Sequence, residues 1–233
     1  MSLPEYTIKT SPRARHVRFK VTAADGLSVV IPRGFDSARV PALVAEKQAW
    51  IEKTLKNLAE KAPPPIPTDF LPGQLDLVAL GQTWSVDYET AGKRGGLRAD
   101  QDNYRLVISA SEHRQDMVFD LLRRWLRVHA KIDFVPHVFA LADELGFDIA
   151  RVTIRNQTGR WGSCTSKKTL SLNLKLLFLE PEQVRHVLVH EFCHTVHLNH
   201  SPAFWSLVAQ FEPAYKAMNK KMKSAWRQVP GWV

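Results

Sequence analysis

The segment from residue 190 to residue 194 constrains this chain most. It reads His190-Glu191-Phe192-Cys193-His194, an H-E-x-x-H pattern among apolar residues, and Pro181 precedes it where a helix can begin without a first amide proton. Positions i and i+4 share one helix face, so both imidazoles can reach one ion. Glu191 lies about 100° around the helix and is directed past the ion. The pattern predicts a metal-binding helix from Pro181.

A third histidine lies at a spacing along the chain that is typical of a zinc ligand. His200 follows His190 by ten positions, the separation that brings a third imidazole to zinc in longer H-E-x-x-H patterns. For His200 to fold back, we expect the helix to end near Leu198, with Asn199 in a left-handed turn. The spacing of His197 does not fit the same face, so it is predicted to be a surface residue.

Three neutral imidazoles that leave one coordination position open suit one Zn²⁺ per chain. Such an ion lowers the pKa of a bound water from 15.7 toward about 7, and Glu191 would accept the released proton. A closed structural site would need a fourth protein ligand. Cys193 is the nearest thiol, but it points away from the histidine face and is predicted to pack in the core.

Composition places the chain among folded globular proteins. Of 233 residues, 45% are apolar and 24% are charged. No apolar run approaches the roughly 20 residues that cross a bilayer, and the first residues do not resemble a signal peptide. We therefore expect no membrane association and a cytoplasmic location. Cys164 and Cys193 are predicted to be reduced.

The chain is predicted to have three parts. Residues 1–62 form an antiparallel β unit from strands at 6–10, 16–22 and 27–32, with an Asp-Gly turn, and one helix from an Asp36 cap to about Lys61 that backs the sheet. A Pro-rich linker at 62–67 leads into the second part, residues 63–110, which continues with β strands at 75–80, 83–89, 97–99 and 104–109. The loop at 91–96 is expected to be mobile.

Residues 111–233 form the third part, in which helices enclose a small sheet. A helical pattern runs over 112–145, with Pro136 expected to kink or split it and Gly146 to stop it. Three short strands are predicted at 152–156, 160–164 and 169–173, before the helix that carries the H-E-x-x-H pattern.

Several motifs in this part occur together in one known family. They are Arg160-Trp161-Gly162-Ser163-Cys164, Leu172-Asn173, Pro181, the H-E-x-x-H segment, Asn199-His200-Ser201 and Phe204-Trp205. In this order they resemble the YgjP-like metal-dependent hydrolases, relatives of the SprT-like and minigluzincin zinc peptidases. The resemblance covers about residues 112–227 well. It implies an α+β fold with a zincin-like catalytic domain, zinc held by His190, His194 and His200, and Glu191 as the base.

Four further residues are candidates for contact with a substrate or an oxyanion. Trp161, with Gly162, either shapes a cleft above the metal or packs between strands. Asn173 belongs either to an edge strand that binds extended peptide, as the resemblance suggests, or to a turn. Tyr215 is either a hydrogen-bond donor to the oxyanion or a core tyrosine. Arg160 binds an oxyanion or a substrate carboxylate, or is a solvated strand residue.

The net charge of +9 keeps nucleic acid among the partners to consider. Two basic groups contribute to it, and each is also explained as a solvated surface. They are Arg13, Arg15, Arg18, Lys20 and Arg33 near the N-terminus, and Lys216, Lys220, Lys221, Lys223 and Arg227 near the C-terminus. Weak, nonspecific binding is the expectation.

Two functions follow. The first is a zinc-dependent peptidase that acts on a peptide or protein substrate. The alternative is a nucleic-acid-associated or partner-binding protein with a largely structural zinc site.

Overall fold

The computed structural model describes residues 3–22, 26–61, 66–67, 70–90, 95–110 and 114–233. The chain divides into two compact units, Met1–Ala62 and Pro63–Val233, and both combine helices with strands. The fold is therefore α+β, as predicted. Most of the expected linker lies outside the described residues, and the additional boundary at residue 110 stays a prediction.

The first unit contains a three-stranded sheet of β1 (Tyr6–Ser11), β2 (Arg18–Thr22) and β3 (Gly26–Pro32). The strand order is β1-β3-β2, and β2 pairs antiparallel with β3 as predicted. The expectation of an all-antiparallel unit is wrong, because β1 pairs parallel with β3. In chain order, β1 and β3 run in the same direction and β2 runs in the opposite one. Because β3 lies between β1 and β2 in the sheet, it pairs parallel with β1. The expected Asp-Gly turn is described only at Gly26, whose φ is +63°.

The helical part of the first unit is broken where one helix was predicted. A 3₁₀ turn at Ser37–Arg39 leads into α1 (Val40–Glu46), and α2 (Gln48–Lys61) follows Lys47. Asp36 caps this start as predicted, its Oδ1 accepting a hydrogen bond from the Ala38 amide. The break leaves no signal in the sequence, since neither glycine nor proline marks it. The helices back the sheet as expected, with apolar residues from both in one core: Leu27, Val29, Ile31, Val40, Val44 and Ile51.

The second unit begins with a four-stranded sheet. Its strands are β4 (Gln74–Leu77), β5 (Gln82–Thr90), β6 (Gly96–Asp100) and β7 (Arg105–Ala110), in the order β4-β5-β7-β6. The β5–β7 pair is parallel and the other two pairs are antiparallel. The strand predicted to reach residue 80 ends at Leu77, and a 3₁₀ turn follows. Residues 91–94 of the loop expected to be mobile lie outside the described residues.

The long helical pattern is split as Pro136 predicted. Helix α3 (Gln115–His129) passes through a π-helical turn at Ala130–Phe134 into α4 (Val135–Glu144). Pro136 has no amide proton to donate to the preceding turn, and the wider π turn accommodates this loss. Gly146, with φ of +76°, follows the end of α4 and stops the helix as expected.

The last sheet and three helices form the part of this unit that contains the H-E-x-x-H segment. Strands β8 (Arg151–Arg155), β9 (Gly162–Cys164) and β10 (Thr169–Asn173) are arranged in the order β8-β10-β9. Helices α5 (Pro181–Cys193), α6 (Pro202–Phe211) and α7 (Tyr215–Met222) follow. Both sheets of this unit share one core with its helices, including the fully buried side chains of Trp84, Leu122, Leu170 and Phe192. Among the helices described, none is both long and apolar enough to cross a lipid bilayer.

Candidate metal centre

Helix α5 is fixed at its start by local hydrogen bonds. Pro181 occupies the first turn, as the sequence predicted, and Glu180 and Gln183 form a reciprocal capping box. The Glu180 amide donates to Gln183 Oε1 at 3.0 Å. A helix anchored in this way holds the side chains of its last turn in a defined orientation.

The end of α5 differs from the prediction. The helix ends at Cys193, with His194 as its C-cap, rather than near Leu198. Turn bonds then reverse the chain, since the amides of Thr195 and His197 donate to the carbonyls of Phe192 and Cys193 at 2.8 and 2.9 Å. These turns need no left-handed residue.

Asn199 is accordingly not left-handed, because Tyr104 and Lys168 are the only non-glycine residues with positive φ in the described part of the chain. Its Oδ1 accepts a hydrogen bond from the Ser201 amide at 3.3 Å. Ser201 Oγ in turn accepts from the Phe204 amide and caps α6. His200 therefore lies directly before a capped helix, which fixes its backbone.

The three predicted histidines converge. Ligand nitrogens of His190, His194 and His200 all lie within 4.8 Å of one another. The Nε2 atoms of His190 and His200 are 3.1 Å apart. Two imidazole nitrogens bound to one tetrahedral zinc ion lie about 3.3 Å apart, so this pair is spaced for a shared ion.

The protonation of the cluster also suits a metal. Burial, with nearby imidazoles as a smaller cause, lowers the pKa of His190 to about 3, and burial lowers the pKa of His194. Both rings are thus neutral at pH 7, as metal ligands must be. His194 Nδ1 donates a hydrogen bond to the His197 carbonyl oxygen at 2.9 Å, which leaves the unprotonated Nε2 of His194 free to bind a metal ion. The three imidazoles therefore fit a metal ion. His197 is half-buried, and it supports the site through its main-chain carbonyl rather than through its ring.

Aromatic rings support the cluster from α6. Phe204 is fully buried and contacts all three imidazoles, with ring centroids 5.0, 4.4 and 4.9 Å from His190, His194 and His200. Trp205 stacks on His200 at 5.6 Å. This apolar wall restricts the orientations of the imidazoles and limits water on that side.

Glu191 lies beside the cluster in an apolar setting. Its side chain is buried, and its Oε2 has no hydrogen-bond partner among the described residues. Burial raises the pKa of Glu191 to about 7, while the Arg160 charge acts in the opposite direction. This carboxyl group can exchange a proton near neutral pH.

Strand β9 closes over Glu191 through a glycine. A β-carbon added at Gly162 would lie 2.7 Å from both Cγ and Oε1 of Glu191. No side chain fits there without displacing the carboxyl group. Gly162 therefore packs closely on Glu191.

A cavity of about 240 Å³ opens next to His190 and Glu191. Arg160, Trp161 and Gly162 of the β9 segment form one wall, and residues of α5 and α7 form the others. The Trp161 ring stacks on Trp226 at 3.9 Å, so it is held in place while it faces the cavity. Trp161 therefore packs on another aromatic ring and also lines the cavity, and a role in binding substrate stays a prediction.

The remaining two candidates do not line this cavity. Asn173 ends β10, the central strand, so the expectation of an edge strand is wrong. Its amide is fully buried and donates to the carbonyls of Gln157 and Arg160 at 2.8 and 2.9 Å, and its Oδ1 caps the 3₁₀ turn at Leu174–Phe178. Asn173 therefore shapes the loop that presents Arg160. Tyr215 is half-buried and stacks on Trp205 at 5.2 Å.

One polar network at this site was not predicted. His186 lies one turn before His190 on α5 and is buried. Its Nδ1 is 2.5 Å from Glu212 Oε2, and its Nε2 is 3.1 Å from Asn219 Oδ1. The network ties α5 to the end of α6 and to α7. The i−4 spacing of His186 from His190 was the available signal, since it places both on one helix face.

The cysteines behave as predicted. Both are free thiols, and Cys193 is fully buried in the core, where burial raises its pKa to about 12. In the C-terminal basic group, Lys221 pairs with Glu182 at 2.9 Å. That lysine is therefore partly neutralised, and binding of nucleic acid by the group stays a prediction.

The family model for the YgjP-like metallopeptidase domain matches residues 15–225. This match spans most of both units, so the chain belongs to the YgjP-like family, as the motif order indicated. The family is described by a metallopeptidase domain, so membership indicates the class of metal-dependent peptidases. Searches of curated proteins and of solved structures found no match.

Proposed function

We propose that this protein is a zinc-dependent peptidase with a zincin-like catalytic domain. One observation carries the proposal: three imidazoles converge beside a buried carboxyl group, and one of them, His190, lines a cavity together with Glu191. The sequence order of helix, turn and third histidine brings these groups together, and family membership agrees with the class of reaction.

His190, His194 and His200 would hold the ion. An all-imidazole set suits zinc, which accepts nitrogen ligands in tetrahedral geometry. When bound, zinc supplies positive charge that polarises the substrate carbonyl and a water of lowered pKa. The His197 carbonyl fixes the His194 tautomer that this binding requires.

Glu191 would act as the general base. Its carboxylate takes a proton from the attacking water and then returns that proton to the amine that leaves. Burial raises the pKa of Glu191 to about 7, and the positive charge of a bound zinc ion would lower it, which favours the carboxylate form that accepts the proton. The orphan Oε2 is the atom with free hydrogen-bonding capacity.

The cavity wall suggests how substrate is oriented. Arg160 lines the cavity together with Glu191. Of Arg160 and Tyr215, Arg160 is therefore better placed to bind an oxyanion or a substrate carboxylate. Tyr215 is separated from the cavity lining and instead supports Trp205, which packs on His200. Trp161 offers a fixed aromatic surface for a substrate side chain.

A structural zinc site is the weaker alternative. Within the described residues, the cluster contains three ligands, and a closed site wants four. Cys193, the nearest thiol in sequence, is buried in the core. A zinc ion held by these three imidazoles would keep one position for water or substrate, which favours catalysis.

Removal of the metal tests the proposal. The full chain would be incubated with unfolded proteins and short peptides, and new termini would be identified by mass spectrometry. We expect cleavage to stop after chelation and to return when one equivalent of zinc is restored. Cleavage that persists in metal-free protein, or that zinc fails to restore while the fold is intact, would refute it.

A further inference from the structure

Strand β8 is an outer strand with an unpaired edge. It pairs with β10 on one side, and no strand in the described part of the chain pairs with its other side. An edge strand directs the amide and carbonyl of every second residue outward, where another strand can bind them. Strand β9, which packs on Glu191 through Gly162, lies at the opposite edge of the same sheet.

A groove of about 520 Å³ runs along this free edge. Seven consecutive residues, from 151 to 157, line it. Side chains of a strand alternate between two faces, so a consecutive run can line a groove only where the main-chain edge itself is exposed to it. The groove therefore presents hydrogen-bonding groups of the backbone.

The groove is strongly basic. Arg127 and Lys131, from α3 and the π turn, face it together with Arg151 and Arg155, and its lining includes no acidic residue. All four cations are exposed, and within the described residues none of them forms an ion pair. Arg151 and Arg155 are four residues apart on β8 and so share one face of the strand.

We infer that this groove binds an acidic peptide segment in extended conformation, which adds to β8 as a further strand. Main-chain hydrogen bonds along the edge would give affinity, and acidic side chains opposite Arg151 and Arg155 would give selectivity. The site lies at the other edge of the sheet from β9 and the metal centre. It goes beyond the proposed function and does not depend on catalysis.

A peptide satisfies this surface better than a nucleic acid does. Phosphate groups accept hydrogen bonds but donate none, so they would leave the outward carbonyl groups of β8 without donors. The amides of an added strand supply those donors. Charge alone does not separate the two ligands, but the exposed strand edge does.

Fluorescence anisotropy with a labelled decapeptide of alternating Glu and Val tests the inference. We expect saturable binding by the full chain, with or without bound zinc. The double variant Arg151→Glu/Arg155→Glu should weaken binding about tenfold or more, because it places like charges opposite the peptide. Lys220→Glu/Lys223→Glu, on exposed lysines outside the groove, makes the same change of net charge and should leave binding near wild type.

Main-chain pairing is tested with two peptides N-methylated at odd or at even positions. One should lose binding and the other should keep it, because alternate amides face the strand. Arg151→Gln/Arg155→Gln, a milder change, serves if charge reversal disturbs folding. Absence of peptide binding, equal loss in the control variant, or equal binding of both methylated peptides would overturn the inference. An oligonucleotide that binds more tightly than the peptide, with the same dependence on Arg151 and Arg155, would also overturn it and identify a nucleic-acid site.

Discussion

Replacement of Glu191 by glutamine is expected to reduce peptide hydrolysis by about 10²–10⁴, the usual contribution of a general base. The amide keeps the shape of the side chain but cannot take a proton from water. The metal should stay, since the three imidazoles that converge do not include residue 191. Turnover and zinc content, measured on the same preparation, check both expectations.

The matched control is Glu182→Gln. Glu182 lies on the same helix, but it is exposed and pairs with Lys221 at the surface. Its substitution should leave turnover unchanged and stability within about 1 kcal/mol. Wild-type turnover in Glu191→Gln with zinc retained would show that Glu191 is not the base.

A methyl group added at Gly162 is expected to have the second large effect. In Gly162→Ala the new β-carbon would meet the Glu191 side chain at 2.7 Å, so the carboxyl group or strand β9 must shift. A displacement of about 1 Å in a catalytic group can cost about 100-fold in rate. We expect a loss of that order in kcat, with zinc content unchanged.

Gly159→Ala is the comparison for this variant. A β-carbon at Gly159 would meet no atom within 4 Å, and the residue has no positive φ. It precedes the same strand, so it reports on general sensitivity of the loop. If Gly162→Ala keeps full turnover, or if Gly159→Ala loses as much, the packing of β9 on Glu191 does not govern catalysis.

The cluster of three histidines could be predicted because its members lie close together in the sequence. His190 and His194 lie one turn apart, and His200 follows after a short reversal, so the helix period nearly determines their meeting. The form of that reversal could not be predicted. The sequence offers Asn199 as a left-handed residue, whereas the chain turns directly after Cys193 through main-chain hydrogen bonds.

Features that depend on distant pairing were less predictable. The parallel arrangement of β1 and β3 depends on which strand lies in the middle, and alternation within each strand does not reveal this. Asn173 could be read as an edge or a turn residue for the same reason. The central position of β10 and the bonds to the carbonyls of Gln157 and Arg160 decide the matter only in three dimensions.

For Gly162 the sequence could predict a close contact but not the residue that it contacts. A glycine in a strand pattern indicates a bulge or a close approach, but its partner lies 29 positions further along the chain, at Glu191. His186 illustrates the opposite case. Its spacing from His190 was visible, yet its partners Glu212 and Asn219 are brought to it by α6 and α7.

Paired measurement of zinc content and turnover in two histidine variants tests the central claim most directly. His200→Ala removes one of the three converging imidazoles, whereas His197→Ala removes a ring outside the cluster and keeps the carbonyl that bonds to His194. Elemental analysis and mass-spectrometric detection of peptide products would be applied to both variants and to the wild type. We expect about one zinc per chain with cleavage in the wild type and in His197→Ala, and loss of most of both in His200→Ala. Stoichiometric zinc and undiminished cleavage in His200→Ala would contradict the claim.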